Sequence, residues 1–373
     1  MRFTLTTFAA IAILCVGQTY AATASSIGAC PALKPRATAA TSVADLRPDD
    51  IKVVAALGDS IMAGFAAEGI QGTNIINIKS LYEYRGVSYG GGGDPGADTV
   101  PNYFKRYNPS IKGASVDEHL VEICYGIICP PFQYKPLKDV LNAAQSAAMA
   151  QNLDSQLDYL ITAMKLTPGV NFKNDWKFIN LQIGSNDQCA SCIDTVFPLL
   201  TPEKYGQHVT AAVERIRKNI PRVIVNLIGT FNVTEVYSVT ADQDYCKPFQ
   251  NTDFIINQIE CPCAIAKEYR PKMDEVSAGY TKQLAAIAQK FKALQTDSFG
   301  VIYSPANIKV DTFPVQGLSN IDCFHPSTLG HAYVAKSLWN TLFVPLAHKP
   351  KTMTWNSTLE LYCPNEADRF QLD

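Results

Sequence analysis

The sequence predicts an α/β protein built on a parallel sheet with helices covering both faces. Short apolar runs at Ile51 to Leu57, Phe178 to Ile183, Val223 to Ile228 and Val301 to Tyr303 read as buried strands. The segments between them carry apolar residues at helical spacing, and that alternation is the signature of parallel strands joined by crossover helices. In such sheets chemistry collects at the carboxyl ends of the strands.

The first strand ends at Gly58-Asp59-Ser60, a turn from which a helix is expected to start near Ile61. Leu153, Leu157, Leu160, Ile161 and Met164 mark an amphipathic helix ahead of the second strand. Tyr205, Val209, Ala212, Val213 and Ile216 mark another ahead of the third, and Val276, Tyr280, Leu284, Ile287 and Phe291 one ahead of the fourth. A last helix is expected from Thr328 to Leu342. Between Arg85 and Asp98 the chain is dominated by glycine, and Tyr89-Gly90-Gly91-Gly92-Gly93-Asp94-Pro95-Gly96 is expected to form a long surface loop. A phosphate-cradling loop is the weaker reading there, because the Gly-Lys-Ser/Thr ending is absent.

With 373 residues, 47% of them hydrophobic, the chain can bury one large core or two modest ones. A formal net charge of -2 and the lack of a basic run leave no electrostatic footprint for nucleic acid. Arg2, the apolar run Phe8 to Val16 and the small residues up to Ala24 have the layout of a secretory signal, and residues 1–21 are expected to be that signal. The competing reading, a membrane anchor, needs a run of about 20 apolar residues, and this one is much shorter. Residues 22–45 form a Pro/Ala/Ser/Thr-rich lead, and residues 46–373 are expected to be a single catalytic domain with long insertions. A secreted or secretory-lumen location follows. Of 11 cysteines Cys15 lies in the signal, and the even remainder is expected to pair as disulfides with connectivity left open. Cys189 and Cys192 also fit a zinc half-site, without a matching second half. Asn232-Val233-Thr234 and Asn356-Ser357-Thr358 are glycosylation sequons, which places Asn232 and Asn356 on the surface.

Three short motifs carry the chemistry. Ser60 follows the first strand and is the candidate nucleophile; Gly184-Ser185-Asn186-Asp187 follows the second in the same way, and the Asn186 amide can donate to an oxyanion. Asp322-Cys323-Phe324-His325 brings an acid and an imidazole three residues apart just before the last helix. His325 can take the Ser60 proton and return it to the leaving alcohol, while Asp322 fixes the tautomer and stabilises the imidazolium. His119, His208, His331 and His348 lack an Asp three residues upstream and are expected to be structural or solvent-exposed.

In these motifs the chain resembles the GDSL/SGNH hydrolase superfamily, and within it the animal phospholipase B branch. The likeness runs from about Leu46 to Pro364 and includes Asp49 to Ser60, Tyr84-Arg85-Gly86, Phe104 to Pro109, Asp175-Trp176-Lys177 and Cys261-Pro262-Cys263. It implies a three-layer α/β/α doubly wound, flavodoxin-like fold, a catalytic triad of Ser60, Asp322 and His325, no metal or other cofactor, and phospholipid or lysophospholipid substrates. It also implies an oxyanion hole of Ser60, Ala147 and Asn186. Here the chain departs from the family, because Ala147 stands where a glycine is expected, five residues after Asn142. Its N–H serves as a donor provided the backbone does not demand a positive φ. Contact with a membrane surface is transient on this reading. Two alternatives stay open: an esterase for acylated carbohydrate or small esters, and a weakly active secreted lipid-binding protein.

Overall fold

The computed structural model describes residues 22–70, 78–247, 255–306 and 308–372. The expected signal peptide, residues 1–21, lies outside them. The main elements run β1 (Ile51–Gly58), α1 (Ser60–Ala63), α2 (Val100–Tyr107), α3 (Leu153–Leu166), β2 (Trp176–Gln182), α4 (Ser185–Cys189), α5 (Pro202–Asn219), β3 (Val223–Ile228), α6 (Arg270–Lys292), β4 (Phe299–Ser304) and α7 (Thr328–Thr341). The four strands form one parallel sheet in the order β1-β2-β3-β4, with Leu57 opposite Leu181 and Leu227 opposite Tyr303.

Strand side chains alternate between faces, and each face has its own core. Val53, Ala55 and Leu57 point with Ile179, Val225 and Val301 into a core closed by α3, α5 and α6. Val54 and Ala56 point with Phe178, Ile224 and Ile302 toward α2 and α7, where Phe104 and Trp339 meet edge to face at 5.3 Å. This is the three-layer α/β/α arrangement.

The free edge of β1 is covered in an irregular way. Val54 N–H donates to the Lys112 carbonyl at 2.9 Å, and Ala56 exchanges hydrogen bonds with Leu141 and Ala143 at 3.0 and 2.8 Å. Both contacts are parallel bridges, so the chain leaves β1 on one side, covers its edge, and returns across it to β2 on the other. That reversal of winding opens a crevice at the carboxyl end of β1. Ser60 lies there.

The glycine-rich stretch corrects the sequence reading. Gly90 to Gly93 are buried, and within the stretch Pro95 and Gly96 are exposed while Asp94, Ala97 and Asp98 are half-buried. A Cβ at Gly90 would meet the Met62 sulfur, one at Gly91 the Asn142 amide, and one at Gly92 the Gly86 carbonyl. The glycines therefore permit close packing between this stretch, the segment after β1 and the edge of the sheet, rather than the freedom of a surface loop.

Ten cysteines form five disulfides: Cys30–Cys363, Cys124–Cys129, Cys189–Cys261, Cys192–Cys263 and Cys246–Cys323. Cys189 and Cys192 are thereby engaged, and the zinc half-site reading falls. Thr23–Ala24 pairs antiparallel with Leu361–Tyr362, and beside it Cys30–Cys363 ties the lead segment to the C-terminal segment. Asn356 is exposed, whereas Asn232 is half-buried between Phe231 and Val233 with its Oδ1 accepting from Thr234 Oγ1 at 3.0 Å. Among the described residues no helix is long and apolar enough to cross a membrane.

Because the Gly92 position has no room for a methyl group, Gly92→Ala is expected to lower stability by about 2 kcal/mol through overpacking. Urea unfolding measures it. A change within a few tenths of a kcal/mol would show that the stretch gives way more readily than its packing indicates.

Candidate active site

Local geometry around Ser60 is fixed from both sides. Gly58 is clamped by Gln156, which accepts from its N–H at 3.0 Å and donates to its carbonyl at 2.7 Å. A Cβ there would collide with the Gln182 carbonyl and Met62, which accounts for glycine at this strand end. Asp59 caps the short helix α1, its Oδ1 accepting from Ile61 N–H at 3.1 Å. The carboxylate is fully buried, and burial pushes the Asp59 pKa up to about 6 against the Ile61 and Ser185 hydrogen bonds that favour its charged form. Gly64, at φ 77°, ends the helix after a single turn.

The fold brings Ser60, His325 and Asp322 together. Ser60 Oγ lies 2.7 Å from His325 Nε2, and His325 Nδ1 lies 2.6 Å from Asp322 Oδ2. The second Asp322 oxygen accepts from the Phe324 and His325 N–H groups at 2.9 and 3.1 Å, so the carboxylate cannot swing away from the ring. Phe65 and Phe324 pack edge-on against the imidazole at 4.9 and 5.2 Å. The Cys246–Cys323 disulfide holds this turn from within. Burial alone would lower the His325 pKa; Asp322 overcomes this, with Glu260 and Asp59 adding to it, and the net shift is upward.

His331 is excluded from the relay. It is buried against Tyr89, its Nδ1 accepting from Tyr89 N–H at 3.3 Å, and burial lowers its pKa to about 3. It stays neutral and structural.

The turn after β2 and the loop around Ala147 are stitched together. Asn186 Nδ2 donates to the Ala148 carbonyl at 3.0 Å, and the buried Asp187 carboxylate accepts from Ala150 N–H at 3.1 Å. Ser60, Ala147 and Asn186 all line one cleft of about 400 Å³, together with Leu81, Val121 and Ile123. Neither Ser60 N–H nor Ala147 N–H has a hydrogen-bond acceptor among the described residues. Ala147 sits at φ 64°, the left-handed region that favours glycine, so the proviso set by the sequence reading is not met and the alanine takes up the glycine conformation at a cost in strain, its N–H left without an acceptor among the described residues.

Beneath that loop lies a charged cluster that sequence reasoning missed. Arg85 is fully buried, with Nη2 2.6 Å from Glu83, Nε 3.3 Å from Asp139, Nη2 3.7 Å from Glu122 and Nη1 donating to the Asn142 carbonyl at 3.2 Å. Glu83 passes the order upward, accepting from Ser146 Oγ at 2.6 Å directly before Ala147. His119 Nε2 is 2.7 Å from Asp139 and Nδ1 2.8 Å from the Leu120 carbonyl. Both partners are acceptors, so the ring donates from both nitrogens as an imidazolium; burial opposes this, but Asp139 outweighs it and the pKa rises. Burial holds Glu122 well above the ordinary carboxylate range despite Arg85. His119, Glu122 and Asp139 present ligand atoms within 4.8 Å of one another, the spacing of a cation site. The Arg85 guanidinium supplies the positive charge there. Glu260, also on the cleft wall, is pushed up by burial and by the nearby Asp322 charge. Its place just before Cys261-Pro262-Cys263 was the only sequence signal for it.

A serine held by an imidazole that is itself held by a carboxylate, beside free backbone donors, is equipped for acyl transfer. The GDSL-like Lipase/Acylhydrolase family model matches residues 54–338, which span β1 through most of α7. The chain belongs to the GDSL-like lipase/acylhydrolase family. It is similar to "Phospholipase B1, membrane-associated" of Mus musculus, 29% identical over 351 residues, covering 91% of this chain and 22% of that protein. The Homo sapiens protein of the same name is 29% identical over 346 residues, covering 90% and 22%. The chain thus spans less than a quarter of the length of these relatives. Among solved structures, a variant of an acetyl xylan esterase from Geobacillus stearothermophilus aligns at 15% identity with a TM-score of 0.37, covering 77% of this chain and 94% of that one. An extracellular lipase from Streptomyces rimosus aligns at 13% identity with a TM-score of 0.35, covering 77% and 99%.

Left-handed backbone costs an L-residue about 1 kcal/mol, so Ala147→Gly is expected to raise stability by up to about 1 kcal/mol after the looser unfolded chain is counted. Ala147→Val, branched at Cβ, should lower it by about 1 kcal/mol or more. Thermal unfolding of the two variants orders them. Equal melting temperatures would mean that the loop relaxes away from positive φ.

Proposed function

We propose that this chain is a secreted, phospholipase B-like serine acylhydrolase acting on phospholipids and lysophospholipids through an acyl-enzyme on Ser60. The observation that carries the reading is the hydrogen-bonded relay from Ser60 to His325 to Asp322 at a cleft walled largely by apolar side chains. His325 accepts the Ser60 proton as Oγ attacks the ester carbonyl, and Asp322 stabilises the imidazolium. The same proton then goes to the leaving alcohol, and water repeats the cycle on the acyl-enzyme. The oxyanion is held by the N–H groups of Ser60 and Ala147 and by the Asn186 amide, whose second N–H remains available beside its bond to Ala148. The apolar wall of Leu81, Val121 and Ile123 suits an acyl chain better than a carbohydrate, which supports a lipid substrate over the acylated-sugar alternative. Five disulfides suit an oxidising compartment and support secretion.

Labelling by a fluorophosphonate probe and hydrolysis of lysophospholipid test this. Ser60→Ala and His325→Ala are each expected to abolish both, with the double variant no slower than either, since such groups act as a unit. Asn186→Ala should lower kcat by about 10²–10³ with a smaller change in KM. Labelling that survives Ser60→Ala would refute the assignment, and activity on acetylated sugar alone would favour the alternative.

The pH profile gives an independent check. Only neutral His325 can accept the serine proton, and its pKa is raised above the ordinary 6.5, so kcat/KM should climb with pH through a midpoint above 6.5. Removing the Glu260 charge removes one upward influence, and Glu260→Gln should move that midpoint to lower pH. A midpoint below 6.5 in the wild type, or a shift upward in Glu260→Gln, would contradict the electrostatics described above.

A further inference from the structure

An exposed apolar loop stands at the mouth of the cleft. Ile127 and Phe132 are each 98% exposed, and Ile128 is 64% exposed. Exposed large apolar residues are ordinary one at a time; gathered on one short loop beside a binding cleft they mark an interaction site. From Ile123 to Tyr134 the chain carries no charged side chain. Resting on the acylhydrolase reading above, we infer that residues 123–132 are a docking loop that enters a neutral phospholipid surface and seats the cleft on it.

Four observations support that partner. The loop is continuous with the cleft, because Ile123 and Tyr125 line it and Ile123 bridges to Ser146, next to Ala147. An acyl chain leaving the surface meets Ile123 and Tyr125 first, on the same cleft that Ser60 lines. The loop is also held in shape: Cys124–Cys129 closes it, and Asn152 clamps Gly126, accepting from its N–H at 3.2 Å and donating to its carbonyl at 2.6 Å. Insertion therefore orders little new chain.

The third observation concerns the backbone, since polar groups entering an apolar medium must be satisfied internally. Tyr125 and Ile128 exchange N–H to carbonyl bonds at 2.8 and 2.9 Å. Gln133 accepts from Ile123 N–H at 2.9 Å and donates to the Ile123 and Pro130 carbonyls at 2.8 and 2.9 Å. Pro130 and Pro131 have no N–H to bury. Much of the loop's polar backbone is thus tied off before it meets lipid. Lastly, a loop of ten residues is small for a protein partner, whose specific interfaces engage about 20–30 residues a side. A lipid surface asks for no such complementary area.

The test uses the full chain carrying Ser60→Ala, so that bound lipid is not consumed, in sedimentation with phosphatidylcholine vesicles at low and high salt. Binding is expected at both, because it is apolar rather than ionic. Ile127→Ser is expected to weaken partitioning by about tenfold, and the pair Ile127→Ser with Phe132→Asn by about a hundredfold. Asparagine is chosen because Phe132 sits at φ 61°. With Ser60 intact, the same loop variants should hydrolyse a water-soluble short-chain ester at the wild-type rate. Loss of the wild type's own soluble-ester activity would sink the acylhydrolase reading and leave the vesicle result standing. Binding that needs anionic lipid and vanishes in high salt, or that ignores both substitutions, would overturn the docking loop. So would self-association that the substitutions abolish in a chain that ignores vesicles, since the loop would then serve a second copy.

Discussion

The buried Arg85 guanidinium is the contact on which the floor of the cleft depends. It lies under the loop from Asn142 to Ala147, bonded to the Asn142 carbonyl at one end and to Glu83 at the other. Glu83 in turn holds Ser146, so the N–H that follows it is aimed by a chain of two hydrogen bonds rooted in one cation. Buried charge is costly unless paired, and removing one member of such a set leaves the others uncompensated, at about 3–5 kcal/mol. Here Arg85 pairs with Glu83 and Asp139 and His119 with Asp139, while burial raises the pKa of Glu122 so that it holds a proton more readily than an exposed carboxyl. The cluster contributes no group to the reacting centre, yet its geometry sets where the loop can sit.

The other side of the cleft is governed by topology. Reversal of winding at β1 leaves its carboxyl end open, and β1 and β2 deliver Ser60 and Asn186 from adjacent, parallel strand ends. The histidine arrives from the turn ahead of α7, on the far side of the molecule in sequence, and three separate constraints hold it: Asp322, the Cys246–Cys323 disulfide, and the two phenylalanines flanking the ring. Precision in the relay is thus supplied by rigid elements, with loops stitched onto them through Gln156, Asn186 and Asp187.

Much of this was legible in the sequence, for physical reasons that also explain what was not. All four strands and the helices α3, α5, α6 and α7 declare themselves because a buried face imposes a period, and Ser60, Asn186, Asp322 and His325 follow from their position at strand ends and before a helix. The edge cover at Lys112 and Asn142 leaves no period, because single bridging residues pair there in place of a strand. The glycine-rich stretch misleads, since composition alone cannot separate glycine chosen for turns from glycine chosen for close approach. The Arg85 cluster gathers residues 83 to 139 through tertiary contacts alone. Disulfide connectivity is likewise a property of the fold, although the even cysteine count announced that pairing would occur.

The electrostatic balance at Ser60 links these parts. Asp322 and Glu260 favour positive charge on His325, which helps the ring take a proton, but negative charge so close also opposes the oxyanion forming at the substrate. Burial moderates the conflict. It pushes Asp59 to about 6 and Asp187 to about 7, and it raises Glu260, so that these carboxyls hold protons more readily than exposed ones. Asp322, by contrast, is pinned by three hydrogen bonds, from the His325 ring and from the Phe324 and His325 N–H groups. Asp322 touches the imidazole through Nδ1, on the side of the ring away from Ser60 Oγ. On the reading proposed above, the oxyanion is left to N–H dipoles from Ser60, Ala147 and Asn186. That is why the backbone at Ala147 matters more than its methyl group: the donor proposed there is a backbone N–H, and the residue that carries it is held at a positive φ on the wall of the cleft.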